Sequence, residues 1–579
     1  MLEKINQPQD LKKLSLEELN LLADEIRDLL IYKITQTGGH MGSNLGMIEM
    51  SIALHYVFSY PIDKFVFDVS HQTYTHKILT GRKNAFLDPK FYGSISGYTT
   101  PKESKHDFFK VGHTSTSISL ACGLAKARDL KKDHENIIAI IGDGALSGGE
   151  AFEGLNNIAM LQSNFILIVN DNEMSIANNQ GGMYQNFQQL RKSQGTYPLN
   201  FFKTFNLDYL YLEEGNNIQK LIALFQKVKD IQHPIVLHIH TLKGKGLDWA
   251  IQDKEAGHWV NGLNQQINPI KETYESLTAK RLLQEMQTNK QCIAISPATP
   301  KAQGLTVEFR KQAKNQFIDV GIAEEHAVAF ASGLAKNGAT PVILANSSFL
   351  QRTYDQLNQD LAMNEMPVTI LVFNGKINGG DCTHVGQYDM VIMSHIPNLV
   401  CLAPTYKEEY LALLDFALTQ KKYPLVIRVP SSMMESNQSF TFDEQSIFKA
   451  KITHIGKQVA IMGLGNFYHL GLKLKEELAT YGICATLINP LCYSHLDQNL
   501  LEELKKNHEC IVTLEDGLKE GGWGYSIANY YATSSLKVLT YGGEKKFNDL
   551  KSLTEIYQQC RLTIPQMIED ILHVLKMKK

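Results

Sequence analysis

IIAIIGDGALSGGEAFEGLNNIAM (137–160), followed at once by FILIVNDNE (165–173), decides how this chain folds. Each piece opens with a short unbroken apolar run rich in β-branched residues. A run of that length and composition reads as a strand buried on both faces. Both runs end in small or polar residues, Gly142-Asp143-Gly144 in the first and Asn170-Asp171-Asn172 in the second. The intervening EAFEGLNNIAM has the spacing of an amphipathic helix. Strand, helix and strand of this kind form a parallel βαβ unit, and the carboxyl ends of its strands face a ligand crevice.

The same alternation extends in both directions. FVFDV (65–69) and IVLHIH (235–240) read as further buried strands, and SISLACGLAKARDL (117–130) as a helix between them. Near the start, Ser15 with Glu18 makes a capping box ahead of Leu16, Leu19, Leu22, Ile26 and Leu29, which recur at helical spacing. A second series holds EEHAVAFASGLAKNG (324–338), PVILAN (341–346), MPVTILVF (366–373) and PLVIRV (424–429). A third holds VAIMGLG (459–465), CATLINP (484–490) and CIVTLED (510–516). The expected fold class is α/β, with three doubly wound domains at 1–272, 273–445 and 446–579. No sequence repeat recurs at a fixed period. Two stretches break the pattern. The Gln- and Asn-rich run at 176–205 predicts a lid or mobile loop rather than a core element, and the polar run at 248–275 predicts a domain junction.

A length of 579 residues exceeds what one hydrophobic core supports and suggests roughly three or four domains. The net charge of −3, without a basic stripe, argues against a nucleic-acid partner. No apolar run approaches the ~20 residues of a membrane span, and MLEKINQPQDLKK lacks the apolar stretch of a signal peptide. Eight cysteines lie scattered with no C-x-x-C pair, so a zinc site is not expected and a reducing cytoplasm is.

Three groups of residues carry chemistry. Asp143 and Asn172 offer a carboxylate and an amide oxygen at neighbouring strand ends, hard ligands suited to Mg²⁺. Gly142 and Gly144 would admit a diphosphate close to the backbone, with a helix N-terminus behind it. Either motif alone reads as a turn; the pair points to a cofactor. His40, His71, His76 and His113 all sit in Gly- or Ser-rich turns and suggest a polar pocket. Glu324 and His326 open the helix of the second series, with Phe349, Arg352, Asp381 and His384 in loops nearby. The strand–glycine turn in VAIMGLGNFYHLG lacks G-x-G-x-x-G spacing, so strand–helix packing explains it better than a dinucleotide does.

TGGHMGSNLG, DVSHQTYTHK, VGHTSTSIS, IGDGALSGGEAFE, NDNEMSI, KGKG, DVGIAEEHAV, SSFLQRTYDQ and LEDGLKEGGWG together resemble the 1-deoxy-D-xylulose-5-phosphate synthase family, within the transketolase superfamily. The resemblance implies thiamine diphosphate held between the first two domains and Mg²⁺ held by Asp143, Asn172 and the backbone of Met174. It places His71, Gly112, His113, Thr114, Gly144 and Ala145 against the cofactor, with Glu324 on its aminopyrimidine ring and Phe349 stacked upon it. His40, Asp381 and His384 would handle substrate protons and hydroxyls, and Arg352 would orient the donor. The implied reaction joins pyruvate to glyceraldehyde 3-phosphate with loss of CO₂, in a cytoplasmic homodimer.

The chain departs from that family around the acceptor. Asn346 stands for a tyrosine, Asn374-Gly375-Lys376 for Arg-Ala-Gly, and Ser431-Ser432 for Arg-Gly after Arg428. The loop Asp381-Cys382-Thr383-His384 is one residue shorter. Of the family's grip on the acceptor phosphate, only Arg428 is kept. These changes leave open a transketolase-like carboligase with another aldehyde or a ketose donor, or a non-catalytic paralogue.

Overall fold

The computed structural model describes residues 1–263 and 272–576. They divide into two compact units, one of residues 1–269 with 321–323 and one of 270–320 with 324–579.

The first unit is built on a parallel five-stranded sheet. Strand β1 (Gly39–His40) stands outside it. Strands β2 (Lys64–Phe67), β3 (Ile137–Gly142), β4 (Phe165–Asp171), β5 (Asp208–Leu212) and β6 (Pro234–His240) run in the order β2-β3-β4-β6-β5. Strand β7 (Trp259–Val260) pairs antiparallel with β1. The burial expected of β3 and β4 holds on both faces. Ile138, Ile140, Ile166 and Ile168 pack into one core cluster, and Ile137, Ala139, Ile141, Leu167 and Val169 into another. Register matters for the site: Gly142 pairs with Asn170, and the Asp143 N–H donates to the Asn170 carbonyl at 3.1 Å. The two polar motifs are therefore side by side on adjacent strands.

The first long helix, Leu16–Thr37, starts at the expected capping box. Ser15 Oγ accepts from the Glu18 N–H while Glu18 Oε2 accepts from the Ser15 N–H. It buries Leu19, Leu22, Ile26, Leu30 and Ile34 and stops at Gly38, whose φ of +79° ends helical propagation.

The stretch 176–205 is not the open loop that its composition suggests. Residues Gly182–Lys192 form a helix, and Phe202–Phe205 a turn of 3₁₀ helix. Phe187, Leu190 and Phe202 are fully buried in the cluster that covers β3 and β4. Two buried apolar residues, Phe187 and Leu190, suffice to anchor a short helix whose sequence is otherwise largely polar, too sparse a pattern to dominate the sequence average. In the polar run at 248–275, residues Asp248–Gln252 are helical and β7 follows; 264–271 lie outside the described residues.

The second unit carries two sheets. Strands β8 (Cys292–Ser296), β9 (Phe317–Asp319), β10 (Thr340–Asn346), β11 (Thr369–Phe373), β12 (Val400–Leu402) and β13 (Leu425–Arg428) form an all-parallel sheet, ordered β12-β13-β11-β10-β8-β9. Strands β14 (Lys451–His454), β15 (Gln458–Gly463), β16 (Thr486–Asn489), β17 (His508–Leu518) and β18 (Lys537–Gly543) form the other, ordered β14-β16-β15-β17-β18, with only the β14 pairing antiparallel. The sheets share one core: Ile370 and Val372 of β11 belong to the same buried cluster as Ala460, Met462, Ile488 and Trp523. Backbone bonds from Ala403 N–H to the Leu491 carbonyl (2.8 Å) and from Tyr493 N–H to the Cys401 carbonyl (2.9 Å) tie them further. The glycine turn after β15 is packing, as expected. A Cβ at Gly463 would lie 2.6 Å from the Tyr468 Cα. No helix of the described residues is long and apolar enough to cross a membrane.

Candidate active site

In the first unit, Asp143 is buried where β3 ends. Its Oδ2 accepts from Asn179 Nδ2 at 2.6 Å, and its carbonyl accepts from the Tyr184 hydroxyl at 3.1 Å. Burial, and then the nearby Asp171 carboxylate, push Asp143 well above the ordinary carboxylate range. Lys243 is also buried, which pushes its amine down to about 8, and its Nζ donates to the Ser175 carbonyl at 2.6 Å. On the neighbouring strand end, Asn172 Oδ1 is buried with no hydrogen-bond partner among the described residues. An unsatisfied buried amide oxygen costs about 1–3 kcal/mol unless a ligand meets it. A buried acid that forms no ion pair among the described residues, with an orphaned amide oxygen on the adjacent strand end, is a donor set that suits a small hard divalent cation. Met174 follows on the same loop and bridges to Asn178.

The two glycines of this loop differ in what surrounds them. A Cβ at Gly144 would meet Ser175 Cβ at 2.7 Å, so the turn needs glycine to lie against the 175 backbone. A Cβ at Gly142 would meet nothing within 4 Å. The Ala145 carbonyl accepts from Ser115 Oγ at 2.7 Å, which joins the GDG turn to the 112–117 turn. That second turn is pinned by Asp68, which accepts from the N–H groups of Ser115 (2.8 Å) and Ser117 (2.9 Å). Gly112 is buried there, and His113 and Thr114 are half-buried.

His40 and His71 do come together, with ring centroids 4.8 Å apart. A third ring joins them. His258 lies 5.4 Å from His40 and 5.5 Å from His71, and burial drives it well below the ordinary histidine range. Nothing in the sequence around His258 marked it; it arrives through the β1–β7 pairing. His76 does not belong to this group. It is fully buried and bonds His55 (3.0 Å) and Asp107 (2.9 Å), with Arg82 on the far side of Asp107 at 2.7 Å. That is an internal ion-pair network, so of the four histidines expected in one pocket His40 and His71 meet, His258 joins them, and His76 lies elsewhere.

In the second unit, Glu324 begins the helix Glu324–Lys336 and is 4% exposed. Burial raises its carboxyl above the ordinary range, although Arg352 Nη1 lies 3.5 Å from Oε2. The Phe349 ring meets the His384 ring edge-on at 5.7 Å. Asp381 organises its own loop: it accepts from the N–H groups of Thr383 and His384 (both 3.0 Å) and from Thr383 Oγ1 (2.7 Å). Burial acts to raise Asp381, but bonds from His384 and Thr383 outweigh it and hold the carboxyl well below the ordinary range.

The acceptor residues of the sequence are scattered between two roles. Asn346 Oδ1 accepts from Gln303 (3.2 Å) and from Asn374 Nδ2 (3.0 Å). Asn374 holds a φ of +54°, a conformation asparagine tolerates. Arg428 is 4% exposed, and its guanidinium is committed inside the protein to Asp389 (2.8 and 3.2 Å) and to the carbonyls of Gly386 (2.9 Å) and Asp516 (2.7 Å). Lys376 makes no ion pair among the described residues. Asn466, which the sequence did not single out, bridges the Ser431 N–H (2.8 Å) and Asp516 Oδ2 (2.9 Å).

Residues 2–197 match the family model described as 1-deoxy-D-xylulose-5-phosphate synthase. Residues 271–436 match the transketolase pyrimidine-binding domain, and 448–542 the transketolase C-terminal domain. The chain is 36% identical to the 1-deoxy-D-xylulose-5-phosphate synthase of Alkaliphilus oremlandii, with 98% of each chain covered. It is 36% identical to the protein of that name from Dictyoglomus turgidum, with 100% of each covered, and 35% identical to that from Clostridium acetobutylicum, with 99% of each covered.

Proposed function

Because the chain belongs to the 1-deoxy-D-xylulose-5-phosphate synthase family, we propose that it joins pyruvate to glyceraldehyde 3-phosphate with release of CO₂, giving 1-deoxy-D-xylulose 5-phosphate. The observation that carries this reading is the buried Asp143 carboxyl beside Asn172 Oδ1, which has no partner among the described residues, a pair that fits Mg²⁺ and, through it, a diphosphate. Thiamine diphosphate, when bound, supplies the electron sink for the pair left behind as CO₂ departs.

The chain's own residues then divide the work. Asp143, Asn172 and the Met174 backbone hold the metal. His71, Gly112, His113, Thr114, Gly144 and Ala145 line the diphosphate side. Glu324, kept protonated by burial at higher pH than an ordinary glutamate, donates to the aminopyrimidine ring, and Phe349 packs against that ring. His40 and His384 exchange protons with substrate hydroxyls. Asp381 fixes the orientation of His384, and Arg352 meets the donor's carboxylate. Residues 1–272, 273–445 and 446–579 serve as the diphosphate, pyrimidine and C-terminal domains. All eight cysteines are free thiols, which suits a reducing cytoplasm, and a homodimer is what the family resemblance implies.

The test is CO₂ release from labelled pyruvate by the protein loaded with Mg²⁺ and thiamine diphosphate. Addition of glyceraldehyde 3-phosphate should accelerate release and yield the ketose phosphate. No response to the aldehyde in cofactor-loaded protein would refute the assignment.

One observation favours a second reading, in which the same chemistry serves another aldehyde or a ketose donor. Arg428 is buried and commits its Nε and Nη2 to Asp389 and to the Gly386 and Asp516 carbonyls, so the residue kept from the family's phosphate grip is turned largely to internal bonds here. A panel of phosphorylated and unphosphorylated aldehydes separates the two by product mass.

A further inference from the structure

The carboxylates on either side of Asn172 are bound by one guanidinium. Arg191 Nη1 pairs with Asp171 Oδ2, and Arg191 Nη2 lies 3.2 Å from Glu173 Oε2. Asp171 is further held by His238 Nε2 at 2.8 Å, whose other ring nitrogen bonds the Tyr209 hydroxyl at 2.9 Å. Asp171 Oδ1 accepts from the Glu173 N–H at 3.1 Å, and Glu173 takes a φ of +65°. A non-glycine residue in that conformation needs its surroundings to hold it. Asn172 sits at the centre of this constrained turn, its carbonyl accepting from Lys254 Nζ at 3.0 Å and its Oδ1 without a partner among the described residues. Arg191 is on the last turn of the helix Gly182–Lys192, which is anchored by fully buried Phe187 and Leu190.

We propose that Arg191 is a positioning residue for the metal loop: its planar fork latches the helix 182–192 to Asp171 and Glu173 and so aims Asn172 Oδ1 at the cation. The geometry suits arginine in particular, because one rigid fork reaches two carboxylates that a lysine could only reach singly. Residues that orient metal ligands typically contribute 10–100-fold to metal affinity. The proposal rests on the Mg²⁺–thiamine diphosphate reading above.

Calorimetric titration of metal-free protein with Mg²⁺ and thiamine diphosphate tests both levels. Wild-type protein should bind. Arg191→Ala should bind about 10–100-fold more weakly, and Arg191→Lys should recover part of the loss. Glu173→Gln, which removes the charge from one prong's partner at a half-exposed position, should weaken binding by several-fold. In kinetics the loss should fall on the KM for cofactor far more than on kcat at saturating cofactor. Wild-type affinity in Arg191→Ala and Arg191→Lys overturns the proposal alone. Should Arg191→Ala fail to fold, Arg191→Lys and Glu173→Gln decide, and wild-type affinity in both overturns it. Absence of binding by the wild-type protein overturns the parent reading and the latch with it.

Discussion

The loop after β4 and the loop after β11 both hang from the carboxyl end of a parallel strand, yet they treat their polar atoms in opposite ways. After β4, Asn172 Oδ1 is buried with no partner among the described residues, while Asp171, the Glu173 N–H and the Asn172 carbonyl that hold the turn in place are bonded. After β11, Asn374 bonds Asn346, and Asp381 bonds its own Thr383 and His384. Folded proteins pair nearly all buried polar groups, so an orphan in a rigid frame marks a place kept for something else. The second loop is bonded both within itself and to Asn346, Asp516 and Lys551.

The sharpest way to break the contrast is Asp143→Asn. The carboxyl is raised by burial, so its charge opposes folding of the cofactor-free protein. The variant should melt higher than wild type without cofactor and should lose the upward shift that Mg²⁺ and thiamine diphosphate give, with activity down by more than about a thousandfold. A variant that keeps the cofactor-dependent shift would show that the pair is not the metal site. Next in size is Glu324→Ala. General acid–base groups contribute about 10²–10⁴-fold, and pyruvate decarboxylation should fall by that amount with folding intact by circular dichroism.

At the acceptor end the effects should be smaller. Lys376→Ala should raise the KM for glyceraldehyde 3-phosphate about 10–100-fold, as expected for one lost charge-assisted bond of about 1.5–3 kcal/mol. The KM for unphosphorylated glyceraldehyde should stay put; equal effects on both would mean that the loop does not read phosphate. Smallest is a paired change beneath that loop. Asn466→Ala leaves the Ser431 N–H and Asp516 Oδ2 without their partner and should cost about 1–3 kcal/mol in denaturant unfolding. Ser431→Ala keeps the backbone donor that Asn466 uses and should stay within about 0.5 kcal/mol.

What the sequence revealed follows the same divide. Strands β3 and β4 were legible because their burial on both faces is written into every residue of the run. The Ser15 capping box was legible because its partners are three residues apart. The helix 182–192 was not, since its anchoring needs only Phe187 and Leu190 in a run of polar residues. Local context gathered His40 and His71, but it could not distinguish His76, whose partners Asp107 and Arg82 make it part of an internal ion network. Nor could it bring in His258 or Asn179, which reach the site only through β1–β7 pairing and the return of the chain past Asp143. Arg428 shows the reverse limit: its position in the motif resembled a substrate contact, while its bonds go to Asp389 and two carbonyls.

The core that the two sheets of the second unit hold in common bears on how the gene can be cut. A fragment ending between Arg428 and Lys451 would carry Ile370 and Val372 with part of their core cluster gone, Ala460, Met462, Ile488 and Trp523 among the lost residues. Such a truncation would bare an apolar wall rather than release a module, and its product would collect in inclusion bodies. The last 130 or so residues are therefore no interchangeable cassette; they travel with the strands from Cys292 onward or not at all.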